Sequence, residues 1–227
     1  MVKHLDAYID KLINSVYKKI SEDLSEASIY IEASDIMIHT KEPKLIAFHK
    51  YYLQIKSNKN AFTSSNIFFR DFKRHYALQG ISNYYLDKKL EKHKAEILKL
   101  IEEDRLFDLY FTFFKKAEIQ KENSPPIIKS LGSFFTKLVH TFNPSNYCAL
   151  DNPIKEYFGL KTEGFYISFL IISYAYKNWI TANSNLVKLL RQYIVENDVN
   201  NFLQSSELTD FKILDLIFWT KVNLKTD

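Results

Sequence analysis

Glycine is the residue this chain almost lacks: 4 glycines and 5 prolines stand among 227 residues. Glycine supplies the left-handed backbone of tight turns, and proline punctuates loops. A chain so poor in both makes few turns and long regular elements. β-Sandwiches and glycine-rich phosphate loops are argued against on that ground. The apolar pattern then selects the element. Leu5, Tyr8, Ile9, Leu12, Ile13, Val16, Tyr17 and Ile20 recur at helical spacing and predict an amphipathic helix over 2–24. A short helix is expected over 27–38, and another from Pro43 to about residue 57. Thr63 or Ser64 is expected to cap a helix carrying Ile67, Phe68, Phe72 and Tyr76, which Gly80 ends. A long helical region follows over 82–120, broken near Asp104. Helices are expected at 127–142, 152–159, 163–181, 184–203 and 207–222. The expected fold class is all-α, with roughly nine to ten helices.

The apolar fraction of 46% suffices for a sizeable interior. Glu122-Asn123-Ser124-Pro125-Pro126 is the clearest linker-like break, which predicts an N-terminal helical lobe over 1–123 and a C-terminal lobe over 124–227. One cysteine, Cys148, excludes an internal disulfide and any cysteine-based zinc or iron–sulfur site, and fits a reducing compartment. No His-Glu-x-x-His or Asp-rich loop occurs, so neither metal nor organic cofactor is expected. Lys3, His4, Asp6 and Asp10 interrupt any apolar leader, and the charge-free run Gly164–Tyr176 is too short for a bilayer. A cytoplasmic protein without membrane association is the expectation. The net charge of +4 does not itself imply nucleic acid; the distribution of cations matters more. The many phenylalanines and tyrosines can fill a core or stack on bases.

Two motifs carry candidate chemistry. In the segment from Ser133 to Ile154, Phe134, Phe135, Leu138, Val139 and Phe142 have helical spacing. Asn143-Pro144-Ser145-Asn146 breaks that helix, Tyr147-Cys148-Ala149-Leu150 packs inward, and Asp151-Asn152-Pro153 opens another. A carboxylate held at a helix entrance after a buried run is partly desolvated and can carry chemistry; it also reads as a plain N-cap. Lys137 lies among Phe135, Leu138 and Val139, either snorkelling to water or with the lowered pKa of a Schiff-base amine. His140 shares its face. The second motif is Arg70-Asp71-Phe72-Lys73-Arg74-His75, a basic helix face.

Leu150-Asp151-Asn152-Pro153-Ile154 resembles the Val-Asp-x-His-Val segment of the helix-hairpin-helix DNA glycosylase superfamily, within a match over residues 127–156. In one register Ser133 replaces the lyase lysine and 127–131 takes the place of the hairpin, without its glycines; Pro153 stands where the family has histidine. In a second register, closer to divergent archaeal-type members, Lys137 is the amine. The resemblance implies a two-lobed all-α glycosylase with its cleft between lobes. It would cleave the N-glycosidic bond of a base flipped out of DNA, without metal or cofactor. Asp151 would stabilise the sugar cation or activate water, and Lys137 would attack the same carbon or contact a phosphate. Lys129 and Ser133, with Arg70, Lys73 and Arg74, would contact the DNA backbone. The spacing of Arg70 and His75 resembles instead the Arg-x4-His motif of the HEPN helical ribonucleases. That implies RNA as substrate, Arg70 on the scissile phosphate and His75 in acid–base catalysis, usually in a dimer. A third reading is a non-catalytic helical interaction protein in which Asp151 only caps.

Overall fold

The computed structural model describes residues 2–39, 43–78, 80–119, 125, 127–198 and 203–224. The fold is mostly helical. In chain order it has α1 (Val2–Asp23), α2 (Ile29–His39), α3 (Pro43–Ile55), α4 (Lys59–Ser64) and α5 (Phe68–His75). A helical run follows through α6 (Asn83–Tyr85), a π turn (Leu86–Leu90), a 3-10 turn (Glu91–His93) and α7 (Lys94–Glu102). Then come α8 (Leu106–Phe113), β1 (Ala117–Ile119), β2 (Ile127–Lys129), α9 (Gly132–Phe142) and α10 (Asn152–Tyr157). The chain closes with α11 (Phe165–Ala182), α12 (Ser184–Asn197) and α13 (Asp210–Leu224).

The elements are shorter and more numerous than the pattern predicts, because the chain makes left-handed turns without glycine. Tyr76 ends α5, and Ala77 adopts φ 49°. The N–H of Ala77 then bonds Arg74 O and that of Leu78 bonds Lys73 O, the two bonds that satisfy carbonyls at a helix end. Gly80, the expected terminator, lies beyond this turn. Asp104, at φ 55°, does the same after α7, at the expected break. Thr63 and Ser64 are not caps of α5. They close α4, bonding back to Lys59 O and Asn60 O, while Asn58 caps the start of α4 through Ala61 N–H. Residues 127–129 are extended rather than helical, and β2 pairs antiparallel with β1, Ala117 opposite Lys129.

The chain forms two compact units, one of residues 1–46 and 144–227, the other of 47–143. The single division expected at 123 is corrected on that point. α1 packs on α11, and α2 packs on α12 and α13, so the N-terminal helices belong with the C-terminal ones. Of the expected linker, 122–124 and 126 lie outside the described residues.

In the first unit, Val16, Ile20, Ile172, Tyr176, Trp179 and Phe218 are fully or almost fully buried. Lys221 ties three helices there: it reaches Asp23 at 3.3 Å and Glu32 at 2.5 Å. The Tyr157 hydroxyl donates to Asp23 at 2.6 Å. In the 47–143 unit, α9 runs through a core of rings. Phe134 lies 5.1 Å from Phe72 and 5.8 Å from Phe114, and Phe62 meets Phe68 edge-on at 4.7 Å. No described helix is long and apolar enough to cross a membrane.

Candidate nucleic-acid interface and acidic site

α5 is sharply two-faced. Phe68, Phe69 and Phe72 point into the ring core, which the helical period requires if Arg70, Lys73 and Arg74 face outward. Those three cations line one concavity of about 560 Å³ with Asp71, Gly80 and Asn83. Each is held in place. Arg70 makes a two-pronged ion pair with Asp87, its Nε 2.8 Å from Oδ1. Lys73 Nζ donates to Ile81 O at 2.6 Å and to Asn83 Oδ1 at 3.3 Å. Arg74 donates to Asp71 at 2.7 Å. Lys129 joins them from β2: a Cβ on Gly80 would lie 3.2 Å from its Nζ. Four of the five expected backbone-binding residues thus meet around one groove. Ser133 does not line it; it sits in the first turn of α9, its carbonyl accepting from Thr136 Oγ1.

His75 is not brought together with Arg70. Five positions apart on a helix places them about 140° apart around the axis. His75 stacks on Tyr51, centroids 4.0 Å apart and planes 11° apart, and does not line the groove. Burial holds its pKa below the ordinary value, Arg74 lowers it further, and Asp71 opposes both. Lys137 is half-buried on α9, its Nζ 5.9 Å from the centre of the Tyr76 ring. His140 is buried and stacks on Tyr52.

Asp151 lies in the other unit from Lys137. It is the N-cap of α10, with extended backbone, and its Oδ1 accepts Ile154 N–H at 3.2 Å. Pro153 follows in the first turn, as the capping reading requires. The carboxylate is half-buried. The segment expected to form the family's hairpin, 127–131, is a strand running into α9 rather than a turn between two helices.

Sequence reasoning missed Asp215, which it treated as solvated or capping. It is buried on α13 and accepts Ala149 N–H at 2.8 Å, pinning the loop that presents Asp151. Burial raises its carboxyl to about 7; Lys212 and the Ala149 N–H oppose that rise, and the Asp151 charge adds to it. The signal was available: Asp215 shares the helical face of Phe211 and Phe218, four before and three after it. Asp210, by contrast, pairs with Arg191 at 2.5 Å. Cys148 is fully buried, which raises its thiol pKa and makes it a poor nucleophile. No group of three or more metal-binding side chains occurs among the described residues.

No protein-family model, curated protein or solved structure matches this chain.

Proposed function

We propose that the protein binds nucleic acid through the α5 groove of its 47–143 unit, contacting the phosphate backbone without choosing a base sequence. The carrying observation is the convergence of Arg70, Lys73 and Arg74 on one concavity, with Lys129 beside it. Asp71 and Asp87 orient the guanidinium groups, and exposed ion pairs of this kind contribute only ~0–1 kcal/mol. A phosphate oxygen can therefore share or take over such a pair. Cations that meet phosphates release counterions, so affinity for duplex DNA should fall with salt at a log–log slope of roughly −0.9 per contact. Arg74→Glu should flatten the slope by about one contact or more. Binding that ignores salt, or none to DNA or RNA, overturns the proposal.

A second reading, base excision, rests on Asp151. Its support is a half-buried carboxylate at a helix entrance in a segment resembling the glycosylase aspartate. Asp151 would offset the charge of the sugar as the flipped base departs. Asp151→Asn keeps a good cap and removes the charge, so excision across a panel of modified bases should vanish while stability holds. Lys137→Ala should prevent borohydride trapping of a DNA adduct if that amine is the nucleophile.

A further inference from the structure

We infer that the exposed aromatic pair Phe107–Phe111 is a stacking platform for bases of single-stranded nucleic acid, an inference that rests on the α5 groove binding phosphates. The two rings lie one helical turn apart on α8. They stack with centroids 4.3 Å apart, and the residues are 58% and 46% exposed. Two phenylalanines facing water together need a reason, since neither offers a polar edge to it. The aliphatic residues of a protein contact would serve burial equally well. A flat hydrocarbon ring serves stacking, because every base has a π-face.

The surroundings favour a polyanion. Lys115 and Lys116 are exposed just beyond the end of α8, and neither forms an ion pair with the described residues. A route to the groove is built into the unit. Lys129, beside Gly80, is followed by Ser130, whose hydroxyl lies 2.9 Å from that of Tyr110. The Tyr110 ring meets Phe111 edge-on at 5.3 Å. Cations at one end of this path and open rings at the other suit a strand whose phosphates follow the lysines and whose bases are free to stack. A duplex hides its base faces within its own stack and cannot use the rings.

The test uses the full chain and two fluorescent probes, a thymidine oligonucleotide and a hairpin duplex of equal nucleotide count. Phe107→Ala/Phe111→Ala should weaken oligonucleotide binding by roughly fivefold to a hundredfold. Duplex affinity and both salt slopes should stay as in the parent, whereas Arg74→Glu changes the slopes. Phe107→Tyr should retain oligonucleotide affinity, and Phe107→Trp fluorescence should be quenched by the oligonucleotide and not by the duplex. If the parent binds neither probe, the groove reading fails. If the parent binds both and the double alanine variant matches it on the oligonucleotide, the platform alone is wrong. It is equally wrong if that variant only converts a concentration-dependent dimer to monomer, which would make the pair a protein contact.

Discussion

Asp215→Asn makes the most direct test of how the first unit is held together. The folded protein keeps a carboxyl with a pKa of about 7, against an ordinary value of 3.8 in the open chain. Between those values the folded state holds a proton that the unfolded state has released. Stability therefore falls as pH rises through this window. A difference of about three units, at 1.36 kcal/mol each, amounts to about 4 kcal/mol in all. Of this, about 2.5 kcal/mol falls between pH 5 and pH 8. Asparagine has nearly the same shape, keeps an oxygen for the Ala149 N–H, and does not titrate. The stability of Asp215→Asn minus that of the parent should therefore grow by about 2.5 kcal/mol from pH 5 to pH 8. Urea unfolding at half-unit steps of pH measures it, with a shift in midpoint and an unchanged slope as the expected form. Parallel curves for the two proteins would refute the argument. So would a difference of opposite sign, which would mean that Lys212 holds Asp215 ionised more strongly than burial opposes it.

Four further outcomes follow from named geometry. Ala77→Gly should raise stability by about 0.5–1 kcal/mol, because Ala77 holds a left-handed backbone that glycine adopts without strain, as thermal unfolding would show. Gly159→Ala should lower it by about 1 kcal/mol for the converse reason, since Gly159 has φ 72° and open space around its Cα. Phe134→Ala should cost about 3–5 kcal/mol in urea unfolding, because the ring is buried among Phe69, Phe72 and Phe114. Asp151→Ala should cost about 1 kcal/mol and Asp151→Asn much less, which calibrates the cap independently of any excision assay.

How much of this was legible divides along the range of the interaction. α1 was legible because its apolar residues repeat along one face, and one face is all a helix needs to declare itself. The two-faced character of α5 was legible for the same reason. The end of α5 was not: glycine is the usual signal for a left-handed turn, and here Ala77 makes it, held by bonds back to Arg74 and Lys73. The strand at 127–129 was misread as helix because three exposed residues between a loop and a helix carry no period. Only pairing with β1 defines it. The unit boundary failed for a deeper reason. A break at 122–126 says where the chain turns, but α1 belongs with α11, and the Tyr8 hydroxyl donates to Glu163 across 155 positions. No local composition encodes that partner.

The same division runs through the site. Arg70, Lys73 and Arg74 could be chosen from spacing alone, because one helix displays all three. Lys129 was chosen as part of a hairpin register, yet it meets the groove through strand pairing and the bare backbone of Gly80, which leaves room for its ammonium. A right residue was reached through a wrong local structure. Asp215 shows the reverse: its place on the buried stripe of α13 was visible, and only the habit of placing carboxylates in water hid it. A charge on an apolar stripe needs a partner in the fold. Here the Ala149 N–H serves, two residues before Asp151. The buried acid on α13 and the half-exposed acid at the head of α10 are thus coupled through one loop. Changing Asp215 should move the loop that carries Asp151, so the two positions call for a double-mutant cycle rather than separate measurement.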